Sequence, residues 1–141
     1  MPAVADQWEL ALAAEHAAIF AYGRLGVHLR GEAVQRARTA EATHRARRDQ
    51  LILRSAGNDP VPLDPAYQLP FPLTDQASAV RLAAEVEERT AAVWRAVLPV
   101  SEGAQREGAL AALVEYAVQA TRWRQAAGIT PAAPTWPGRP D

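Results

Sequence analysis

The chain has 141 residues, a length that predicts one domain with its own hydrophobic core. It has no cysteine, which excludes disulfides, thiolate metal ligands and cysteine nucleophiles. A net charge of −1 gives no reason to expect binding to nucleic acid or to an anionic membrane. The opening MPAVADQWEL lacks the pattern of a signal peptide, and no apolar run reaches the roughly 18 residues of a membrane span. These features predict a cytoplasmic protein.

Four alanine-rich segments carry the periodicity of α-helices. The first covers about residues 6 to 29, with Asp6 as its cap, and the second covers about residues 32 to 56. The third covers about residues 74 to 98, and the fourth runs from about residue 101 to the stretch AAGITP. No alternation of β-branched residues indicates a strand, so the sequence predicts an all-α protein with four helices.

The connections between these segments predict how the helices are arranged. The first and third connections are short, so helices 1 and 2 and helices 3 and 4 should form antiparallel pairs. The second connection, at about residues 57 to 74, contains five prolines and could span roughly 55 Å at about 3 Å per residue. A helix of about 24 residues is only about 36 Å long, so this linker can cross the whole bundle. Two antiparallel pairs joined by such a crossover form the ferritin-like variant of the four-helix bundle.

The segments outside the helices are expected to lie on the surface of this bundle. A plain up-down bundle with a flexible loop is the alternative to the crossover, but Leu69, Phe71 and Leu73 give the linker apolar groups that can pack on the helices. Residues 1–128 are predicted to form the bundle. Residues 129–141 contain four prolines and no periodicity, which predicts a tail that lies on the surface or is disordered.

Polar residues occupy inward positions near the middle of three predicted helices. Glu15 interrupts the apolar face of helix 1, and Glu41, His44 and Arg48 occupy the centre of the corresponding face of helix 2. Glu87 lies about 60° from the core direction of helix 3. Burying three carboxylates costs too much free energy unless they are paired, protonated or bound to a cation. The pattern therefore predicts either a buried polar network or a metal site.

A divalent metal is one way to bury these carboxylates. The stretch Glu41-Ala-Thr-His44 places a carboxylate and an imidazole on one helix face, one turn apart. Glu15 and Glu87 on neighbouring helices could supply further oxygens, as in di-iron bundles. Hard oxygen ligands together with an imidazole suit iron or manganese. This interpretation predicts a metal-dependent oxidoreductase or a metal-binding protein that uses Glu15, Glu41, His44 and Glu87.

A network without a metal is the other solution, and the sequence favours it. A complete di-iron site needs a second Glu-x-x-His on helix 4, where the chain has Glu115-Tyr-Ala-Val118. Arg48 carries a permanent charge, and its planar guanidinium can hold two carboxylates at once, so we expect it to bind at least one of them. The result would be a non-catalytic scaffold or binding module without a cofactor. The predicted network consists of Glu15, Glu41, His44, Arg48 and Glu87.

The arginines of the second helix suggest one further surface. Arg36, Arg47 and Arg54 project together outward. No aromatic residue interleaves them for base stacking. We therefore interpret this face as solvated and expect no contact with nucleic acid.

Five stretches of the chain together resemble a known family: ALAAEHAAIFAYG, THRARRD, YQLPFPLTD, AAEVEERTAAVW and ATRWRQAAG. The family consists of small uncharacterised bacterial proteins classed as a ferritin-like domain of unknown function, and the resemblance covers about residues 6 to 128. It implies a ferritin-like four-helix bundle, commonly a dimer, and it implies no activity. Ferritin-like relatives with working metal centres are similar at Glu15, Glu41 and His44, whereas Val118 departs from their helix 4 histidine.

The predicted partners follow from the aromatic content. Trp8, Trp94 and Trp123 are most simply interpreted as core or interface anchors. An alanine-rich bundle with four tryptophans should leave some apolar surface uncovered, so we expect a homodimer packed through helix 1 or helix 2. The sequence predicts no membrane contact, and it does not name the protein partner or small ligand that a binding module would take.

Overall fold

A computed structural model describes residues 6–55 and 68–139, and all regular structure in these residues is helical. The four helices are α1 (Gln7–Leu25), α2 (Glu32–Arg54), α3 (Gln76–Val97) and α4 (Gly103–Ala127). Single 3-10 turns extend α1 and α3 at their carboxyl ends. The prediction of an all-α, four-helix bundle is confirmed. None of these helices combines the length and the hydrophobicity that a bilayer-spanning segment needs.

The helices begin and end at residues suited to those positions. The Asp6 carboxylate accepts a hydrogen bond from the Trp8 amide at 2.9 Å and caps α1. Asp75 caps α3 in a reciprocal pair, accepting from the Ser78 amide at 2.8 Å while the Asp75 amide donates to the Ser78 hydroxyl at 3.1 Å. Gly128 ends α4 with a φ of 70°, a left-handed conformation that glycine adopts without strain.

Two apolar clusters show in which direction each helix runs. The first apolar cluster joins the end of α1, the start of α2, the start of α3 and the end of α4: Ala21, Tyr22, Leu25, Leu29, Ala37, Ala40, Ala79, Val80, Leu82, Ala83, Ala84 and Trp123. The second apolar cluster joins the opposite ends of the same helices: Ala11, Leu12, Leu51, Ala91, Trp94, Val97, Ala109, Ala112 and Tyr116. Therefore α1 and α4 run in one direction, and α2 and α3 run in the other.

The linker between α2 and α3 must connect opposite ends of the bundle, because these two helices are parallel. The expectation that they do not form a hairpin is thus confirmed. Most of the predicted crossover, residues 56–67, lies outside the described residues. In the described part, Leu69, Phe71 and Leu73 pack against the first apolar cluster, as their apolar character predicted. The Arg81 guanidinium lies 4.4 Å from the centre of the Phe71 ring and covers this contact.

The segment after α4 lies on the surface groove between α3 and α4. The Arg124 side chain donates to the carbonyl of Pro131 at 3.0 Å, and the Arg95 side chain donates to the carbonyl of Pro137 at 2.7 Å. Gly138 has a φ of 74° and approaches the groove closely. The predicted proline-rich tail is therefore held on the bundle surface over its described length.

Gly138→Ala should loosen this contact. An added Cβ would lie 3.0 Å from the Ala91 carbonyl oxygen and 3.0 Å from a Leu113 methyl group, in a backbone conformation that disfavours side chains. We expect a loss of about 1–3 kcal/mol of unfolding free energy and faster amide hydrogen exchange over residues 129–139. Gly128→Ala is the matched control, because its φ is also positive but its Cβ would meet no atom. Unchanged exchange in Gly138→Ala would contradict the prediction.

Candidate functional site

Three polar side chains lie at the centre of the bundle, between the two apolar clusters. Glu15 comes from α1, His44 from α2 and Glu87 from α3, and all three residues have 0% of their surface exposed. Each was predicted to point inward. The structure thus places these three predicted site residues in one buried layer at the mid-height of the helices.

His44 lies between the two carboxylates and contacts both. Its Nδ1 is 2.6 Å from Glu15 Oε2, and its Nε2 is 3.0 Å from Glu87 Oε1. A neutral imidazole can donate only one of these hydrogen bonds, whereas the protonated ring can donate both. The ring also stacks on Tyr116, with centroids 4.5 Å apart and planes 8° apart. This geometry therefore fits an imidazolium cation that bridges two carboxylates.

Opposing effects set the pKa of His44. Burial lowers the pKa, because the charged ring loses its hydration. The hydrogen bonds and negative charges of Glu15 and Glu87 together outweigh burial and raise the pKa to about 9 from an ordinary value of 6.5. His44 is therefore protonated at neutral pH, in agreement with its two donated hydrogen bonds.

Glu15 receives two further hydrogen bonds from aromatic side chains. The Trp94 indole nitrogen donates to Glu15 Oε1 at 2.8 Å, and the Tyr116 hydroxyl donates to the same oxygen at 2.6 Å. Burial and the nearby Glu15 charge raise the pKa of Tyr116, so this hydroxyl keeps its proton. With His44 included, three donors from three different helices converge on one buried carboxylate. Charge-assisted bonds of this kind stabilise a buried anion.

Glu87 has fewer partners than Glu15. The Tyr22 hydroxyl donates to Glu87 Oε1 at 2.6 Å and accepts a hydrogen bond from the Trp123 indole at 3.1 Å. Burial, followed by the Glu87 charge, raises the pKa of Tyr22 well above its ordinary value, so Tyr22 remains a donor. The second oxygen, Glu87 Oε2, is buried and has no hydrogen-bond partner within the described part of the chain.

Two predicted members of the network lie outside it. Glu41 accepts a hydrogen bond from Arg45, one turn along α2, at 2.8 Å. Arg48 pairs with Asp49 at 2.9 Å, and its side chain is 25% exposed. Both side chains are partly buried, with 28% of Glu41 exposed, but neither reaches the interior layer, and the expectation that Arg48 binds an interior carboxylate is wrong. His44 occupies the centre of the buried face, and residues three or four positions away flank that face and reach local partners.

Sequence reasoning also missed the aromatic donors of the network. Tyr22 follows Glu15 by seven residues, Trp94 follows Glu87 by seven, and the pair on α4 has the same spacing. A spacing of seven residues is two helical turns, so both members of each pair lie on one helix face. This repeated spacing is the sequence pattern that indicates the aromatic donors. The α4 pair is Tyr116 and Trp123, and Tyr116 lies on the short stretch where a second Glu-x-x-His was expected.

The arginines of α2 form contacts that the sequence did not predict. Arg36 lies over the Trp123 ring at 5.3 Å, Arg47 over Tyr116 at 5.0 Å and Arg54 over Trp8 at 3.8 Å. Arg54 is exposed, as a solvated face predicts, whereas Arg36 and Arg47 are partly buried. The aromatic residues that stack on the arginines come from α1 and α4, so they could not be recognised on α2 itself. Cation–π contacts join α2 to its neighbours along this seam.

The donor set does not fit the di-iron centre of ferritin-like enzymes. Such a centre needs several carboxylates and two neutral histidines. Here both nitrogens of His44 already contact carboxylates, Glu41 points away, and Val118 stands where a second histidine is needed. Among the described residues, no group of three or more acidic, histidine or cysteine side chains is arranged to hold a metal.

Comparison with known proteins gives a family and a solved structure. The family described as domain of unknown function (DUF4439) matches residues 8–141. The crystal structure of a conserved hypothetical protein, rv2844, from Mycobacterium tuberculosis is similar over 85% of this chain and 93% of that chain. The two are 36% identical, with a TM-score of 0.80. No curated protein matches the chain.

The charge on His44 predicts how stability depends on pH. Because folding raises this pKa, the stabilisation is complete below about pH 6.5 and is lost as the pH rises through about 9. We expect the unfolding free energy to fall by on the order of 3 kcal/mol across this range, measured by urea unfolding. His44→Gln should be less stable at pH 6 and should lack this slope. Equal slopes in both proteins would contradict the prediction.

Proposed function

We propose that this chain, which belongs to the family described as domain of unknown function DUF4439, is a ferritin-like bundle that acts as a non-catalytic scaffold or binding module. In this proposal, protonated His44 takes the central position that a metal takes in ferritin-like enzymes. The observation that carries the proposal is the contact of both His44 nitrogens with buried carboxylates, at 2.6 and 3.0 Å.

The helix arrangement supports the ferritin-like part of the proposal. Two antiparallel pairs joined by a long connection, with α2 parallel to α3, are what ferritin-like folds share. The polar layer also lies at mid-height between two apolar clusters, where metal-binding members of that architecture hold their ligands. The likeness in topology and position therefore extends beyond the number of helices.

The chemistry of the site supports a non-catalytic role. A histidine ligand must offer a lone pair from a neutral ring, and the raised pKa of His44 opposes this. Three donors already surround Glu15. Hydrogen bonds that link all four helices would be satisfied in only one register of the bundle, so the network would fix that register.

One observation favours the alternative, a metal-dependent oxidoreductase that uses iron or manganese. Glu87 Oε2 is buried without a partner, which leaves one carboxylate oxygen available. A metal at this oxygen would need His44 to lose its proton and release a carboxylate, and it would need Glu41 to turn inward from Arg45. An ordered internal water at Glu87 Oε2 requires none of these changes.

Metal content tests the proposal directly. Protein produced in iron- or manganese-supplemented medium should contain only traces of metal by mass spectrometry of the acid-digested protein. Glu41→Ala and Glu87→Gln should leave that trace unchanged, as should the surface control Glu115→Gln. Stoichiometric metal that disappears in Glu41→Ala and Glu87→Gln, but not in the control, would establish the alternative.

We also propose that the chain forms a homodimer, now through α4 rather than through helix 1 or 2. Leu110, Val114 and Val118 form one stripe on α4 and are 50%, 54% and 44% exposed. Glu107 precedes the stripe and Arg122 follows it, and neither forms an ion pair in the described part of the chain. A two-fold axis that passes between Val114 and Glu115 would place each Glu107 beside the partner's Arg122.

Charge exchange at these two positions tests the dimer. The wild-type chain should sediment as a dimer at micromolar concentration. Glu107→Arg and Arg122→Glu should each produce monomers because like charges then face each other, and the double variant should restore the dimer. Leu53→Ser is the control, since Leu53 is an exposed apolar residue on α2. Dissociation by Leu53→Ser, or no recovery in the double variant, would contradict an interface on α4.

A further inference from the structure

A cleft opens between α2 and α4 at the end of the bundle where α1 begins. Its volume is about 270 Å³, close to the lower limit of sites that hold small ligands. Two tryptophans, two arginines and two glutamines contribute the larger side chains of its lining, and no acidic residue of the described chain lines it. The larger lining residues are Trp8, Arg47, Gln50, Arg54, Trp94 and Gln105.

Arg54 is positioned to bind an anion in this cleft. Its guanidinium carbon lies 3.8 Å from the centre of the Trp8 ring, so the planar group is stacked and its orientation is restrained. Stacking occupies a face of the guanidinium and leaves its N–H groups at the edge available. Arg54 has no carboxylate partner within the described residues. A positive charge with free donors therefore borders the cleft.

Arg47 brings a second guanidinium to the cleft lining. Its Nη2 pairs with Glu115 at 3.0 Å, and its guanidinium lies over the Tyr116 ring at 5.0 Å. Its Nη1 is buried and has no hydrogen-bond partner in the described part of the chain. The guanidinium is thus held beside the cleft by Glu115 and Tyr116, and its charge adds to the attraction that Arg54 exerts on an anion.

The tryptophans determine the rest of the ligand. Trp8 and Trp94 meet edge to face, with centroids 6.3 Å apart and planes 88° apart, so their rings provide apolar walls in two directions. Gln50 and Gln105 add neutral amide donors and acceptors. The lining thus combines arginine donors with flat apolar surfaces.

We propose that this cleft binds a small oxyanion that carries a flat apolar group, such as an aromatic carboxylate or an aromatic phosphate. The oxyanion accepts hydrogen bonds from Arg54 and is attracted by the nearby charge of Arg47, and the apolar group packs against Trp8 and Trp94. This inference rests on the proposed binding function and specifies a ligand class for it. It does not depend on whether His44 is protonated or binds a metal.

Ligand-observed NMR tests the site with benzoate, phenyl phosphate and inorganic phosphate as probes. We expect saturation transfer from the full chain to benzoate or phenyl phosphate, and the preference between them identifies the oxyanion. Arg54→Gln should weaken binding about tenfold or more, because it removes a charged donor. Arg36→Gln is the matched control: Arg36 stacks on Trp123 in the same seam but does not line the cleft. The control should bind like the wild type.

Three results would overturn this proposal. The first is no transfer to either aromatic probe, the second is equal weakening by Arg54→Gln and Arg36→Gln, and the third is inorganic phosphate binding as tightly as phenyl phosphate. Any of these would leave the scaffold proposal intact, since that proposal is decided by metal content. Stoichiometric metal, conversely, would overturn the scaffold proposal without changing the expected effect of Arg54→Gln.

Discussion

A protonated histidine between two buried carboxylates is the interaction on which this bundle depends. Removing two carboxylates from water costs several kcal/mol each, and a single imidazolium in contact with both offsets much of that cost. Histidine suits the position because its two ring nitrogens point in different directions, so one ring reaches both α1 and α3. Tyr116 and Trp94 then supply the donors that the bridge leaves unfilled on Glu15. Residues of all four helices therefore contribute to the polar layer, in which Glu87 Oε2 has no partner among the described residues.

Helix α2 depends on this polar layer for its packing more than the other three helices do. Its buried residues are Ala37, Ala40, His44 and Leu51, so it contributes little apolar surface to the core. By contrast, α3 buries eleven residues, including Trp94 and Val97. The hydrophobic effect alone holds α2 weakly. Its position is set by the His44 bridge and by the arginines that stack on aromatic rings of α1 and α4.

The sequence predicted the helices and the inward position of Glu15, His44 and Glu87, because each interrupts or borders an apolar face with a clear period. It did not predict the partners of these residues correctly. Glu41 and Arg48 flank the buried face of α2, and helical geometry places each of them 60° or less from its centre. At such an angle, periodicity alone cannot decide whether a side chain points into the core or into solvent. The choice depends on how closely α1 and α4 approach α2, which no single helix encodes. Tyr22 and Trp94 lie on apolar helix faces, where the sequence predicts a buried ring but does not show which acceptor its O–H or N–H group reaches.

The hydrogen bonds around Glu15 are arranged differently from the ligands of a metal centre. A metal centre places several acceptors around a cation. Around Glu15 the pattern is reversed, because His44, Trp94 and Tyr116 are donors that surround an anion. Tyr116 contributes to this reversal, because its hydroxyl donates to Glu15 and its ring contacts both His44 and Arg47. The tyrosine on α4 therefore adds a donor to the polar layer, whereas a metal centre at the same place would need another acceptor.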